Sequence, residues 1–542
     1  MKSIIIRVDS SLSIGSGHVM RCRTLAKQLQ NSGAEIYFLC RPKKADLISF
    51  LKLDFTVLVL PEYSTVSPAV SDETSLIGRD LYVSWLGCSE EQDASDCSEL
   101  LNQSGLLDID WIIVDHYSLG AEWESAMINS FDPSKVPKIM VIDDLADRVH
   151  LADCLLDQSY FGLQTQHRYR DLVNVQCRQF LGPHFALLSP EYPCLHPLIP
   201  DRRSLNRVLI FFGGSDPLNL TTRALKAFLE LGLPHIFLDV VIGSQSPFKE
   251  EIVKLVSRLS SATLHHSLPS LAGLICRADL AIGSSGSTSW ERACLGLPSL
   301  VVTCADNQVP IAESMNDEGL IHYLGPAETV TVNILKEAIK KSVLAFSHGS
   351  LPDSGRWLTD GWGTLRVSTF LLGPQLPLSL RPATINDEAL ILRWSNDPQV
   401  RSLSLSTDLI SSSDHHDWFI SSLKNPNRLL FIAIDPTGCP LGQMRFDRVK
   451  VSHTSSNYHV LISFSLDRCA RGFGLASDFV IHGLEALQSK WGSSLQVIAE
   501  VLEENLPSQA TFARVGFTKD ITLHQNLSRK VTRWVWRSSD SC

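Results

Sequence analysis

The sequence lacks the features that mark secreted, metal-binding or membrane proteins. Its 542 residues include 13 cysteines, but no two form a Cys-x-x-Cys pair and their spacing does not recur. This argues against a disulfide framework and a zinc site, so we expect reduced thiols in a reducing compartment. No apolar stretch reaches the ~20 residues of a membrane span. The apolar run at residues 4–6 is also too short for a signal peptide, and we expect a cytoplasmic protein with no membrane partner.

A basic excess is missing as well. Lysine and arginine total 48 against 58 aspartate and glutamate, and the part after residue 377 is nearly neutral. Nucleic-acid binders usually concentrate positive charge on one face, so we expect no nucleic-acid partner. With 44% hydrophobic and 20% charged residues, the chain has the composition of globular protein. Its length suggests about three or four domains.

The first 370 residues alternate short Val/Ile/Leu runs with helix-like segments. Such runs, ending at Gly, Asp or Ser, are typical of parallel strands buried on both faces. They predict doubly wound α/β architecture. The rhythm restarts near Leu205, after a proline-bearing stretch at residues 190–200. We therefore predict two Rossmann-like halves, residues 1–200 and 201–370, with substrate in the cleft between them.

The chain changes character after residue 370. Residues 371–379 carry two prolines and no alternating pattern, which is typical of a short, fairly stiff linker. Beyond them, strands are grouped before helices, and this order indicates an α+β domain with an antiparallel meander. We place this domain at residues 380–538.

A glycine loop with a histidine follows the first predicted strand. Gly15 and Gly17 let the backbone approach a ligand, and the helix that follows offers N–H groups to an anion. His18 can take a proton from water, as imidazole groups do in general base catalysis, although a tight turn with a packing histidine fits equally well. Another predicted strand ends at residues 115–117, where the side chains either orient a sugar and tune His18 or form an ordinary strand end.

The second half repeats this pattern twice. Gly213 and Gly214 follow one predicted strand, and a Gly/Ser turn at residues 283–287 follows another. Small residues and free amides at a helix start suit a diphosphate. Glu291, one turn further in, suits a ribose diol. The alternative is a serine-capped helix with a solvated glutamate.

Ordered motifs across residues 1 to about 370 resemble a known family. The matching stretches are Gly15-Ser-Gly-His18-Val-Met-Arg21, Val114-Asp-His-Tyr117, Ile142-Asp-Asp144, Gly213-Gly-Ser-Asp216, Ser285-Gly-Ser-Thr-Ser-Trp-Glu291, Asn307-Gln308 and Asp360-Gly-Trp-Gly363. Together they resemble the UDP-sugar hydrolases of pseudaminic acid biosynthesis, which are inverting enzymes with the glycosyltransferase-B fold. A subset of the motifs is shared with lipid-sugar glycosyltransferases.

The resemblance implies hydrolysis of UDP-2,4-diacetamido-2,4,6-trideoxy-β-L-altropyranose to UDP and the free sugar. It makes His18 the base that activates water, Asn219 a substrate contact and Glu291 the ribose ligand. The full set of expected substrate-binding residues is Gly15, Gly17, Asp115, His116, Tyr117, Gly214, Asn219, Ser285, Gly286, Ser287, Glu291, Asn307 and Gln308.

The C-terminal domain carries a second glycine loop at a helix start. Arg471-Gly472-Phe473-Gly474-Leu475-Ala476 follows a predicted strand and forms a diphosphate cradle. With Asn505, Ser508 and Gly516-Phe517, it resembles the GNAT acetyltransferases over residues 378 to about 538. The resemblance implies acetyl-CoA as co-substrate and no metal. The expected acetyl-CoA-binding residues are Leu466, Arg471, Gly472, Phe473, Gly474, Leu475, Ala476, Asn505 and Ser508.

Two further stretches, Arg393-Trp-Ser-Asn396 and Ile410-Ser411 with His415 and Trp418-Phe419, resemble the amino-sugar acetyltransferase of the same pathway. That enzyme acetylates the 4-amino group of UDP-4-amino-4,6-dideoxy-N-acetyl-β-L-altrosamine. Many GNAT enzymes place a tyrosine acid where this chain has Phe512, so the proton donor is unassigned. His415 and Glu500 are candidates for guiding the amine's proton, a packing or surface role being the alternative for each.

The sequence thus predicts a bifunctional hydrolase and N-acetyltransferase that acts on UDP-amino-sugars. Two alternatives stay open. One is a glycosyltransferase fused to an acetyltransferase that acts on a glycan. The other is a chain in which one half serves only as a binding module.

Overall fold

The computed structural model describes residues 1–11, 13–63, 78–199, 202–214, 216–243, 246–266, 268–349, 355–450, 458–492, 494–520 and 529–538. Contacts between residues group the chain into two units, Met1–Thr364 and Leu365–Cys542. The domain bounds expected at residues 200 and 370, and the linker at 371–379, stay predictions.

The first unit begins with a seven-stranded parallel sheet. Its strands are β1 Ser3–Val8, β2 Glu35–Cys40, β3 Thr56–Val59, β4 Trp111–Asp115, β5 Lys138–Ile142, β6 Cys154–Asp157 and β7 Arg178–Leu181. The α-helices are α1 Gly17–Asn31, α2 Ile48–Leu51, α3 Arg79–Ser84, α4 Glu90–Gln103, α5 Ala121–Asn129 and, after β7, α6 Glu191–Leu195. The strand order β3-β2-β1-β4-β5-β6-β7 reverses direction between β1 and β4. Loops beside such a switch point form a crevice for ligands.

A second parallel sheet follows in the same unit. Its strands are β8 Arg207–Phe211, β9 Phe237–Ile242, β10 Ala262–His266, β11 Leu280–Ser284, β12 Ser299–Thr303 and β13 His322–Pro326. The helices are α7 Leu220–Leu231, α8 Lys249–Val256, α9 Ala272–Arg277, α10 Thr288–Cys294, α11 Val309–Asp317 and α12 Val332–His348. The order β10-β9-β8-β11-β12-β13 reverses between β8 and β11.

Burial explains why the apolar runs became these strands. The side chains of Ile4, Ile5 and Ile6 in β1 and of Ile112 and Ile113 in β4 are all fully buried, so both faces of the sheet are covered. The predicted doubly wound fold with two Rossmann-like halves is confirmed.

The second unit contains a mixed, mainly antiparallel sheet. Its strands are β14 Ser379–Pro382, β15 Arg428–Ile434, β16 Pro440–Lys450, β17 Tyr458–Leu466, β18 Gln496–Leu502, β19 Thr518–Asp520 and β20 Val531–Arg537. The helices are α13 Gly363–Leu372, which spans the boundary between the units, α14 Glu388–Ser395, α15 Pro398–Ser402, α16 Ser412–Lys424, α17 Leu475–Trp491 and α18 Leu506–Arg514. The sheet order is β14-β15-β16-β17-β18-β20-β19, and the predicted α+β class is confirmed.

One strand pair in this sheet is incomplete. β17 and β18 run parallel but pair only at Val460 with Val497 and at Leu461 with Ile498. Beyond these two pairs β17 and β18 are not paired with each other, whereas β17 pairs with β16 along its whole length. Residues 462–466 of β17 therefore have an edge, named below the free edge of β17, that pairs with no strand among the described residues.

None of the helices within the described ranges is long and apolar enough to cross a membrane.

Candidate active sites

The histidine of the first glycine loop is held by a buried carboxylate. His18 lies in the first turn of α1, and its Nδ1 is 2.6 Å from Oδ1 of Asp115 at the end of β4. His18 is 8% exposed and Asp115 is fully buried. Because Nδ1 faces an acceptor, it carries the proton, and Nε2 is the nitrogen available to accept another.

A buried arginine completes this arrangement. Arg21, one turn further along α1, donates from Nε and Nη2 to the two oxygens of Asp115, both at 2.7 Å. Burial would raise the pKa of Asp115, but Arg21 and then His18 outweigh it, and the net pKa lies well below its usual range. Asp115 is therefore ionised throughout the physiological range and can stabilise a charged His18.

Tyr117 borders His18 on the same side as Asp115. Its ring meets the His18 ring edge-on at 4.5 Å between centroids, and its hydroxyl donates to Asp144 Oδ2 at 2.8 Å. Arg21 Nη1 donates to the same oxygen at 2.6 Å. His18, Arg21, Asp115, Tyr117 and Asp144 thus form one connected set, named below the His18 cluster.

His116, expected beside them, faces elsewhere. Its Nδ1 accepts from the Ser118 amide at 3.2 Å, and its Nε2 lies 3.3 Å from Asp9 Oδ2. Asp9 also binds Arg7, within a buried ion-pair network that extends to Asp93. Burial lowers the pKa of His116, so this ring is a neutral part of the network.

The glycine loops of the two sheets approach each other. Ser16 makes no capping bond from its side chain, which leaves the first amides of α1 without that acceptor. Its Oγ is 4.0 Å from the point that a Cβ on Gly214 would occupy. A Cβ on Gly243 would lie 2.0 Å from the Gly214 carbonyl oxygen, so this loop tolerates no larger residue there. Ser215, part of the predicted motif, lies outside the described residues.

The α7 start differs from the expected phosphate cradle. Asp216 accepts from the amides of Leu220 and Thr221 at 3.0 and 2.9 Å, so the first turn of α7 is capped from within. Asn219 donates to Glu251 at 3.3 Å, while its own Oδ1 is buried without a partner in the described chain. Asn219 keeps an acceptor for a ligand, whereas the amides of Leu220 and Thr221 at the helix start are already bonded.

The Gly/Ser turn after β11 leads to a carboxylate with an unsatisfied atom. Ser285 and Gly286 form the turn and Ser287 is the N-cap of α10. On α10, the Oε2 atom of Glu291 is buried and has no hydrogen-bond partner among the described residues. Burial raises the pKa of Glu291 to about 7. A buried acceptor without a donor fits a ligand hydroxyl.

The predicted pair Asn307 and Gln308 lies in a short 3-10 helix after β12. Gln308 Oε1 accepts from the amide of Cys304 at 2.9 Å, which fixes the loop. Asn307 is half-buried beside it.

The glycine loop of the second unit precedes a long helix. Gly474 has φ +77° and is the N-cap residue of α17. Because glycine has no side chain, this residue does not cap the first turn of the helix with one. Arg471 donates to the carbonyl of Leu466 at 2.9 Å and to Asp397 Oδ1 at 3.0 Å. Its Nη2 is buried without a partner in the described ranges. An uncapped helix start beside an unpaired guanidinium nitrogen fits an anion.

Asp397 braces this loop from outside it. One oxygen accepts from Arg471 and the other from Arg468 Nη2 at 3.1 Å. The same carboxylate caps α15 through the amides of Gln399 and Val400. The remaining predicted members, Phe473, Leu475 and Ala476, follow directly, with Leu475 buried and Phe473 39% exposed.

Asn505 and Ser508 lie beyond strand β18. Asn505 Oδ1 accepts from the Ser508 amide at 3.2 Å and caps α18. Phe512 is buried between Phe464 and Phe517, at 5.6 and 4.9 Å between centroids. It offers no proton.

His415 and Glu500 occupy different surroundings. His415 is buried, its Nε2 bonds the carbonyl of Glu388 at 3.0 Å, and its ring stacks on Phe419. These are helix-packing contacts, and His415 has no part in the chemistry proposed below. Glu500 is exposed on β18, paired in register with Arg533 of β20.

Within the described residues, no group of three or more His, Cys, Asp and Glu side chains is arranged to hold a metal ion.

Several contributors were not singled out from the sequence. They are Arg21, Asp144 and Asp397, which meet their partners across long sequence separations. Arg21 and Asp144 did lie within the quoted motifs, and that was the available signal.

Comparison with known proteins separates the two units. Residues 378–518 match the acetyltransferase (GNAT) domain family, so this part of the chain is a GNAT domain. The spore coat polysaccharide biosynthesis protein SpsG of Bacillus subtilis is 27% identical over 212 residues, 39% of this chain and 62% of that protein. The chain therefore spans less than two thirds of that relative.

Two other relatives are more distant but are covered almost completely. The UDP-2,4-diacetamido-2,4,6-trideoxy-beta-L-altropyranose hydrolase of Campylobacter jejuni is 23% identical over 316 residues, 58% of this chain and 97% of the hydrolase. An uncharacterized protein of Methanocaldococcus jannaschii is 23% identical over 528 residues, 95% of this chain and 96% of its own.

Solved structures resemble each unit at low identity. MurG of Acinetobacter baumannii aligns with 68% of this chain and 99% of its own, at 15% identity and a TM-score of 0.45. Spermidine N-acetyltransferase of Vibrio cholerae aligns with 30% of this chain and 96% of its own, at 15% identity and a TM-score of 0.27. At these TM-scores neither adds to the topology described above.

The fold, the GNAT domain and these relatives define a sugar-modifying fusion enzyme. More particularly, the distant homology of the first unit fits a fusion of a UDP-sugar hydrolase with a GNAT acetyltransferase.

Proposed function

We propose that the chain catalyses two consecutive steps of pseudaminic acid biosynthesis in the cytoplasm. The GNAT domain acetylates the 4-amino group of UDP-4-amino-4,6-dideoxy-N-acetyl-β-L-altrosamine. The first unit then hydrolyses UDP-2,4-diacetamido-2,4,6-trideoxy-β-L-altropyranose. The observation that carries the hydrolase assignment is the bond between His18 and Asp115 beside the glycine loop.

In the hydrolytic step, His18 acts as general base. Its Nε2 takes a proton from water while the water oxygen bonds to the anomeric carbon, and the bond from that carbon to the β-phosphate oxygen breaks. UDP leaves with the electron pair. Asp115 holds His18 in the tautomer with a free Nε2 and stabilises the imidazolium that forms. The imidazolium then releases its proton to solvent.

The nucleotide is held by the second sheet. The Glu291 carboxylate accepts from a ribose hydroxyl, and the unpaired Asn219 Oδ1 accepts from a second donor on the substrate. The uncapped amides of α1 face the diphosphate, where negative charge develops as UDP departs. No large positive charge is needed, in keeping with the acidic composition of this half.

The GNAT domain has the elements that acetyl-CoA requires. The uncapped start of α17 and Arg471 Nη2 suit the pyrophosphate. The free edge of β17 offers backbone N–H and C=O groups to the amide-bearing pantetheine arm, as a sheet edge does to an added strand. Acetyl-CoA supplies the activated acetyl group as a thioester.

In the transfer, the sugar amine nitrogen bonds to the thioester carbonyl carbon and the carbon–sulfur bond breaks. The nitrogen loses one proton and the departing thiolate gains one. Since Phe512 cannot donate, the thiolate is protonated by another group or by water. The amine must be neutral to attack, so the rate rises with pH toward a plateau above neutrality.

Acetylation precedes hydrolysis in this proposal, because the acceptor still carries UDP. The test supplies purified protein with the 4-amino UDP-sugar and acetyl-CoA and follows both products by NMR. We expect the acetylated UDP-sugar first and then UDP with the free diacetamido sugar. Faster acetylation of the free amino sugar than of the UDP-linked one contradicts this order.

The His18→Ala variant tests the hydrolytic half. We expect UDP binding and acetylation to persist while hydrolysis falls by about 10²–10⁴-fold, the usual contribution of a positioned base. Near-normal UDP release removes His18 from the mechanism.

The relative named for polysaccharide biosynthesis supports a second candidate, transfer of the sugar to a glycan acceptor. In the same experiment, UDP release that requires an added acceptor favours this reading. If one half of the chain shows no activity but still binds its ligand, that half serves as a binding module.

A further inference from the structure

Beside Glu291 lies a buried phenol that has no place in the site described above. Tyr192 belongs to α6, the short helix between the two sheets, and is 2% exposed. Its ring packs in one apolar cluster with Trp290, Cys294 and Leu295 from α10 and its end. The ring position is therefore fixed by the core of the second sheet.

The hydroxyl of Tyr192 is unsatisfied in the same way as Glu291. Both Tyr192 Oη and Glu291 Oε2 are buried without a hydrogen-bond partner in the described chain. The two residues are brought together because α6 packs against α10, and Tyr192 shares an apolar cluster with Trp290, the neighbour of Glu291. In keeping with this packing, burial first and then the Glu291 carboxylate raise the pKa of Tyr192 well above its usual range. The phenol thus keeps its proton and is a donor facing an acceptor.

We propose that Tyr192 positions Glu291. Its hydroxyl donates a hydrogen bond to Oε2 when the nucleotide binds, and the other lone pairs of the carboxylate accept from the ribose hydroxyls. This inference rests on the proposed function of the first unit as a UDP-sugar enzyme. A carboxylate oriented in this way presents its acceptor without rotating, which lowers the entropic cost of binding.

The other charged groups around Glu291 have hydrogen-bond or ion-pair partners of their own, and some of them also affect its ionisation through their charge. Glu191, also on α6, accepts from Ser270, and its negative charge disfavours ionisation of Glu291. Arg292 favours ionisation but donates to the Ser284 carbonyl. On the elements packed against α10, Arg277 of α9 pairs with Asp239, and Arg356 donates to backbone carbonyls. Tyr192 is the neutral donor beside the carboxylate.

A pH dependence follows from this geometry. Burial raises the pKa of Glu291 to about 7, whereas the Tyr192 hydroxyl lowers it. The ionised carboxylate is the better acceptor for two ribose hydroxyls, so UDP affinity should fall as the pH drops through about 7. Removing the Tyr192 hydroxyl should move this midpoint to higher pH.

The experiment measures UDP affinity by calorimetry from pH 6 to 9 for the full chain, Tyr192→Phe, Glu291→Gln and the double variant. We expect Tyr192→Phe to weaken UDP binding by about 10-fold at neutral pH, the effect of one lost hydrogen bond to a charged group. The pH midpoint of its UDP affinity should also move to a higher pH. In the Glu291→Gln background the Tyr192 substitution should have a much smaller effect and no pH midpoint to move, because the neutral amide oxygen is a weaker acceptor than the carboxylate and does not titrate.

Tyr169→Phe is the matched control. Tyr169 is also fully buried, and its hydroxyl bonds Asp143 at 2.9 Å in the first sheet. It should lose stability without a change in UDP affinity. Thermal unfolding shows whether each variant is folded, and acetyl transfer by the GNAT domain reports separately on the integrity of the chain.

Three results overturn the inference in distinguishable ways. Normal UDP affinity and an unmoved midpoint in Tyr192→Phe, beside weakened binding in Glu291→Gln, reject Tyr192 alone. An absence of UDP binding by the unsubstituted protein rejects the proposed function and this inference together. Equal losses from Tyr192→Phe in the presence and absence of Glu291 show a general packing effect and also reject it.

Discussion

Replacing Asp115 by asparagine tests the central geometry of the His18 cluster. The carboxylate accepts from His18 Nδ1 and from two nitrogens of Arg21, all within 2.6 to 2.7 Å. An amide keeps the shape but turns one acceptor into a donor. Because Arg21 only donates, it claims the remaining oxygen, and the NH₂ group faces His18. The proton of His18 then moves to Nε2, and the histidine can no longer act as the base.

The size of the effect follows from these contacts. We expect Asp115→Asn to lower hydrolysis by about 10²–10⁴-fold, as for loss of a positioned base. UDP affinity should be unchanged, since Glu291 and Asn219 are untouched. Removing one partner of a buried ion pair costs about 3–5 kcal/mol. We expect the lower end of this range for Asp115→Asn, because Arg21 still has the Asp144 carboxylate as an ion-pair partner.

The pH dependence of stability gives an independent check. The folded-state pKa of Asp115 lies well below its unfolded value, so its contribution is present above about pH 4 and is lost as the pH falls further. Asp115→Asn should therefore lose stability at neutral pH and less in strong acid.

The assays are UDP release, calorimetry with UDP and denaturant unfolding. Asp54→Asn is the control, because Asp54 pairs with Arg23 near the surface and lies outside the His18 cluster. It should leave hydrolysis unchanged. Hydrolysis by Asp115→Asn within threefold of the unsubstituted enzyme refutes the assigned role.

Three predictions concern the GNAT domain. Gly474→Val places a β-branched residue at φ +77° and should abolish CoA release from acetyl-CoA while sparing hydrolysis of acetylated substrate; retained acetylation contradicts the assigned loop. Asp397→Ala frees Arg468 and Arg471 and should raise the KM for acetyl-CoA by about 10-fold, with a smaller change in kcat; an unchanged KM shows that the brace is dispensable. Phe512→Tyr should lower the free energy of unfolding by about 1–3 kcal/mol without increasing acetylation, because its hydroxyl has no partner; faster transfer shows a working proton donor there.

The sequence predicted what local patterns encode. Apolar runs such as β1 and β4 are buried on both faces, and the glycine loops lie at strand-to-helix turns, so the doubly wound fold and the place of His18 could be predicted. Glu291 could be singled out as a candidate ligand because it lies one turn into the helix that follows the Gly/Ser turn. These features depend on neighbours within a few residues.

Long-range partners could not be predicted in this way. Asp115 and His116 are adjacent in sequence, yet one meets His18 and the other Asp9, because successive side chains at a strand end point to opposite sides. Asp216 belongs to a stretch that carries the resemblance to the hydrolases, and its carboxylate caps α7. Tyr192 sits in an unremarkable stretch and reaches Glu291 only through tertiary packing. Such contacts are set by the whole fold.

The free edge of β17 offers a way to detect acetyl-CoA binding by the GNAT domain through hydrogen exchange of its backbone amides. Along the free edge of β17, every second amide faces away from β16, on the side where no strand of the described residues pairs with it. In the free protein these amides should exchange with deuterated water faster than their neighbours bonded to β16. A pantetheine arm along the free edge should slow only that alternate set, so mass spectrometry at residue resolution can report acetyl-CoA binding without any turnover.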